Sequence, residues 1–199
     1  MNEEKRFGNV KIEKVAEGMY KFAASSNCYL IELDEHIMID CGHARDKEDL
    51  KKAIEEVVSI EKIGKVIFTH LHYDHVGNFE LFANAKLFAS KAAIESLKWD
   101  AYKTVLEKNI AEKLQKIELN PIENIGNIEN LEVIETPGHT IGSICLWYER
   151  ERILFSGDTV FHTAYGRVDL PTSNPEEMRK SLKKIGELDV RKLCPGHEI

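Results

Sequence analysis

With 199 residues, 43% of them hydrophobic and 31% charged, the chain can bury one sizeable core, is short for two full domains, and is too apolar to be disordered. The net charge of -7 argues against nucleic acid or an anionic membrane surface as the partner, because both need a basic face. No run of about 18 apolar residues offers a membrane span, and residues 1–6 lack a secretory apolar stretch, so the expected location is the cytoplasm.

Alternating apolar residues predict strands over 10–15, 18–24, 27–31 and 37–40, with Asp34 and Glu35 marking a turn. Leu50, Ala53, Ile54, Val57 and Val58 recur at helical spacing, which predicts a helix over 46–60. The apolar run 65–69 reads as a strand buried on both faces and ends at His70. A strand over 86–89 follows, then two helices, 91–98 and 101–117. The second would place Val105, Leu106, Ile110, Leu114 and Ile117 along one side. Strands are predicted over 131–136, 143–148 and 152–155. Asn174 caps a helix with Pro175 in its first turn, running to about residue 188, and a last strand covers 190–194. Strands followed by helices in both halves, with no linker between them, predict one α/β domain over 1–199 with two sheets.

Cys28, Cys41, Cys145 and Cys194 are far apart and form no C-x-x-C pair, so they read as reduced, buried side chains. The informative segment is Thr69-His70-Leu71-His72-Tyr73-Asp74-His75. It places four metal-binding side chains within six residues, directly after a buried strand. In extended backbone His70 and His72 point to one side. A turn, with Gly77 allowing close backbone geometry, would bring Asp74 and His75 to a second position. His139, Asp158 and His197 each follow a glycine at a predicted strand end, where active-site residues of α/β proteins collect. Imidazoles with carboxylates suit zinc, iron or manganese better than calcium.

The His-x-His-x-Asp-His run, with His139, Asp158 and His197, resembles the metallo-β-lactamase superfamily over nearly the whole chain. Asn27-Cys28-Tyr29-Leu30-Ile31 and Ile39-Asp40-Cys41-Gly42 look like its opening strands. The later spacing looks like the glyoxalase II branch. Gly166-Arg167-Val168-Asp169-Leu170-Pro171 looks like the small single-domain members and the persulfide dioxygenases. The resemblance implies an αββα sandwich with metals along one edge. It also implies that His70, His72 and His139 hold one ion, that Asp74, His75 and His197 hold another, and that Asp158 bridges them. Two divalent ions, zinc first and iron or manganese next, would then supply hydroxide at neutral pH for attack on a small thioester or ester, with Asp74 as the catalytic side chain.

Near the predicted site loops, Arg167 is read either as a clamp for a substrate carboxylate or as an ion pair with Asp169. Tyr165 is read as an electrophile or a packed aromatic, with packing favoured. Trp99 and Tyr102 are read as a lid or as ordinary packing, again with packing favoured. His162 and His43 are read as supports behind the ligands or as structural side chains rather than as ligands, and His36 as structural. The sequence ends two residues after His197, so a glutathione-binding helical domain is not expected and glutathione thioesters are expected to be weaker substrates. A mononuclear iron persulfide dioxygenase would use a subset of the same ligands. A nuclease is opposed by the acidic charge, and a flavodiiron module by His72 where that family carries an acid. A small-molecule substrate is the expected partner, with a homo-oligomer open.

Overall fold

A computed structural model describes residues 5–125, 128 and 130–199. Strands β1 (Arg6–Phe7), β2 (Val10–Ala16), β3 (Met19–Ala23), β4 (Asn27–Ile31) and β5 (His36–Ile39) form an antiparallel run. It continues in parallel through β6 (Ile63–Ile67), β7 (Lys86–Ala89) and β8 (Asn120–Pro121). Helix α1 (Lys47–Val57) joins β5 to β6. The short helix α2 (Tyr73–Val76) follows β6, and α3 (Lys91–Trp99), α4 (Ala101–Val105) and α5 (Lys108–Leu114) lie between β7 and β8. A second sheet pairs β9 (Leu131–Glu135), β10 (Ile144–Tyr148) and β11 (Ile153–Gly157) antiparallel, with β12 (Lys192–Pro195) parallel to β11 after helix α6 (Pro175–Gly186).

The period of two along a strand decides the layering. In β4 and β5, Leu30 and Met38 face a cluster that includes Leu50, Ile54, Leu97 and Ile110 from the helices. Their neighbours Tyr29, Ile31, Ile37 and Ile39 face Leu146, Tyr148, Ile153 and Phe155 of the second sheet. On the far side of that sheet, Cys145, Trp147 and Leu154 pack with Ile185 of α6. The layers are helices, sheet, sheet and helix, the αββα order that the resemblance implied. The four cysteines are free and buried, as read from their spacing.

Sequence and structure differ most at 101–117, where one predicted helix is two. Leu106 stands at φ 65 and ends α4, its N–H donating to the Tyr102 carbonyl at 2.8 Å. Glu107 then starts α5, its carboxylate accepting the N–H groups of Asn109 and Ile110 at 3.1 and 2.7 Å. Left-handed backbone costs a residue with a Cβ about 1–2 kcal/mol, and nothing in the type of residue 106 announces it. The turn expected after His72 is α2, one helical turn. Gly77 is needed there for room rather than for unusual φ, since a Cβ would lie 2.8 Å from the Gly42 and Tyr73 carbonyl oxygens. At α6 the reading holds: Asn174 Oδ1 accepts from the N–H groups of Glu176 and Glu177 at 2.9 and 3.2 Å. The packing reading of Trp99 and Tyr102 does not hold. They are 92% and 60% exposed, and Trp99 lines a cavity of about 700 Å³ between α3 and residues 171–174, separate from the histidine cluster.

Candidate metal centre

Four strand ends meet at one edge of the two sheets, and each delivers part of a cage. The chain leaving β6 carries His70 and His72, and α2 carries Asp74 and His75. The loop after β9 carries His139, the residue after β11 is Asp158, and the turn after β12 carries His197. A hydrogen bond from the Ile144 N–H to the Thr69 carbonyl, at 2.9 Å, ties the sheets together there. Two glycines make the approach possible. Gly157 sits at φ 49 against Thr69, and a Cβ on Gly196 would lie inside Asp158 Oδ1 and 2.7 Å from His75 Cε1.

All seven side chains named from the sequence come together. Donor atoms of His70, His72 and His139 lie within 4.8 Å of one another, as do those of Asp74, His75 and His197, and those of His70, His75 and Asp158. His139 Nε2 and His72 Nδ1 are 2.9 Å apart, and His75 Nε2 and His197 Nε2 are 3.3 Å apart. Asp158 reaches both groups, with Oδ1 3.3 Å from His75 Nε2 and Oδ2 3.5 Å from both His139 Nε2 and His197 Nε2. Asp74 Oδ2 is 3.3 Å from His197 Nε2.

The outward nitrogens explain why the inward ones are free. His75 Nδ1 donates to Asp40 Oδ2 at 2.8 Å, His139 Nδ1 to the Arg167 carbonyl at 2.9 Å, and His197 Nδ1 to the Ser25 carbonyl at 3.0 Å. A ring whose Nδ1 carries the proton presents a lone pair at Nε2, the form that binds a metal. Asp40 is buried and lies at φ 56. Besides His75, it accepts from the Thr69 N–H and hydroxyl, both at 2.8 Å, so it pins the end of β6 as well. Its role was not read from the sequence. Its placement at the end of β5, in Ile39-Asp40-Cys41-Gly42, was the available signal.

The donor set fits divalent cations. His70 Nε2 and Asp158 Oδ1 are buried without a hydrogen-bond partner, a cost that a shared cation removes. Burial and the neighbouring rings hold His70 well below its ordinary pKa and push His72 down to about 3, so both stay neutral and able to donate a lone pair. His75 goes the other way. Burial pulls it down, but Asp158 and Asp40 outweigh that and raise it. Asp158 is lowered by His75 against the opposing effect of burial, and Asp74 by His197 in the same way. A cage that raises a buried imidazole and lowers its carboxylates is one that favours positive charge inside.

A cavity of about 360 Å³ opens beside the cage, lined in part by Tyr165 and Arg167. Tyr165 is 55% exposed, so it is not the packed aromatic favoured from the sequence. Arg167 makes a two-point contact with Asp169, Nε and Nη2 each donating at 2.9 Å. His43 accepts from the Arg45 N–H at 3.0 Å, and His36 Nδ1 lies 2.8 Å from the Leu33 carbonyl, both local structural contacts. His162 is exposed on the loop after β11.

The family model of the metallo-beta-lactamase superfamily matches residues 23–197, and the chain belongs to that superfamily. It is 33% identical over 187 residues to a Methanocaldococcus jannaschii protein named "probable metallo-hydrolase", covering 88% of this chain and 89% of that one. It is 35% identical over 140 residues to the hydroxyacylglutathione hydrolase of Bartonella quintana, covering 67% of this chain and 48% of the relative. The chain thus spans about half the length of such hydroxyacylglutathione hydrolases. Among solved structures, TTHA1623 in a di-iron-bound form shares the fold, with a TM-score of 0.68, 23% identity, and 87% and 88% of the two chains covered. No helix among the described residues is long and apolar enough to cross a membrane.

Proposed function

We propose that the cage holds two divalent ions and that the chain hydrolyses small thioesters or activated esters. The observation that carries this reading is the paired use of the imidazoles, with Nδ1 of His75, His139 and His197 fixed on protein oxygens while the Nε2 atoms of these three rings turn inward. His70, His72 and His139 would hold one ion, Asp74, His75 and His197 the other, and Asp158, with an oxygen toward each group, would be shared. Bound divalent ions of this kind lower the pKa of water to about 7 and polarise a carbonyl. Asp74 lines the cavity and is held ionised by His197, so it accepts a hydrogen bond from an entering water and orients it. No serine or cysteine nucleophile is needed, and the four cysteines are buried away from such a role.

A donor set of imidazoles and carboxylates without thiolate suits zinc, and iron or manganese next. The relative named hydroxyacylglutathione hydrolase supports the thioester class. The di-iron form of TTHA1623 keeps iron in view for the metal. We read 1–199 as one domain acting on a small molecule, with Arg167 and Tyr165 at the rim of the substrate cavity. Elemental analysis of anaerobically purified protein, with thioester hydrolysis assayed beside oxygen uptake on glutathione persulfide, tests the reading. Two ions per chain and thioester cleavage are expected. One iron per chain, persulfide-dependent oxygen uptake and no thioester cleavage would overturn it.

A further inference from the structure

The cavity beside the cage has an organic wall that the hydrolytic step leaves unused. Tyr73, Leu106, Phe161 and Leu170 line it together with Asp74 and Asp158. Arg167 is the one cationic side chain among the lining residues apart from the histidines, and its guanidinium is engaged by Asp169 through two bonds.

Leu106 is the odd member of this wall. Besides Leu106, the non-glycine residues with positive φ among those described are Asp40, Asn130 and Arg152. Aspartate and asparagine tolerate that region through local hydrogen bonds, and Arg152 ends an exposed turn. A leucine has no such compensation, and glycine or asparagine would end α4 with less strain. The strain finds no return in the core. Val105 and Ile110 on either side are buried in the cluster under the helices, whereas Leu106 is half-buried and, among the described residues, belongs to none of the three apolar clusters. Its side chain instead lies on the cavity wall, which Leu170 and Phe161 also line.

We propose that Leu106, with Leu170 and Phe161, forms an apolar subsite that receives the acyl chain of the substrate. The site then selects small substrates with an uncharged aliphatic acyl group over those with a polar or anionic one. This rests on the hydrolase reading above and adds the substrate class to it. Leu106 acts by contact with the bound acyl chain and takes no part in proton transfer.

Two measurements on wild type, Leu106→Gly and Leu106→Asn separate the proposal from the reading beneath it. The first is KM for N-acetylcysteamine thioesters from acetyl to octanoyl. The second is calorimetric binding of the uncleavable thioethers S-ethyl- and S-hexyl-N-acetylcysteamine. Wild type should favour the hexanoyl over the acetyl ester, and the hexyl over the ethyl thioether, by about tenfold, the scale for burying a leucine-sized surface. Both variants should lose most of that preference while holding or raising the melting temperature, because the left-handed strain is relieved. The same preference in variants and wild type, no chain-length preference in wild type, or a melting temperature lowered in both variants would overturn the subsite. Discrimination between the thioethers without any thioester cleavage would leave the subsite standing and remove the hydrolase reading.

Discussion

The two sides of the cavity are held in different ways. On the metal side His75, His139 and His197 are each anchored by a second ring nitrogen, at 2.8, 2.9 and 3.0 Å, and His70, His72 and His75 are almost fully buried. On the organic side Tyr165 is 55% exposed, the Arg167 guanidinium is held by an exposed aspartate two residues away, and Leu106 stands on a strained helix end. The metal side is rigid because a cation needs several donors at fixed distances at once. The organic side is a set of single contacts contributed by separate loops, the kind of surface on which substrate choice can vary while the chemistry stays fixed.

The largest expected effect lies on the rigid side. Asp158→Ala removes the one carboxylate that faces both histidine groups, so metal stoichiometry and hydrolysis should fall together. The loss should exceed the roughly 10–100-fold that removing an outer partner costs. Elemental analysis with a thioester assay checks it, and full activity with undiminished metal would sink the assignment of the cage.

Asp40→Asn should come next. An amide still accepts from the Thr69 N–H, but an NH₂ group facing His75 no longer holds the proton on Nδ1, so the inward lone pair is lost for part of the time. Metal affinity should fall by about 10–100-fold, read by competition with a chromophoric chelator. An unchanged affinity would mean that the Asp40–His75 contact only packs the strand ends.

These two residues differ in how legible they were. Asp158 could be found because it follows Ser156-Gly157 at a strand end and completes a set whose other members cluster in sequence. The ligands at 70–75 are readable for the same reason, since a metal needs its donors close and a short run supplies them. The layering was expected from the family resemblance, and the structure supplies its physical reason, a period of two that places Leu30 and Tyr29 on opposite faces, each apolar. Asp40 acts through an imidazole 35 positions away, and only the fold brings the two together. The break at Leu106 was hidden for a different reason. Val105, Ile110 and Leu114 keep a helical pattern across it, and the residue in the left-handed position is a leucine rather than the glycine that would have announced a helix end.

A separate expected effect is on the pH dependence of the metal-free protein. Burial and the neighbouring His139 push His72 down to about 3, against 6.5 for a free imidazole, and His70 is lowered for the same reasons. Between those values the unfolded chain binds protons that the fold refuses, so stability should decline as pH falls from 6.5 toward 3. The slope is at most about 1.4 kcal/mol per pH unit for each such group. His75 and His197 are raised instead, so their contribution is complete below 6.5 and fades only as pH rises through their higher values. Urea unfolding in the presence of a chelator, from pH 6.5 downward, reads this directly, and a flat profile would show that His70 and His72 are not held neutral.

Diffraction from metal-loaded crystals at the absorption edge of the bound metal tests the two-metal assignment most directly. Two anomalous peaks are expected, one among His70, His72 and His139 and one among Asp74, His75 and His197, with Asp158 in contact with both. A single peak, or peaks away from these side chains, would contradict it.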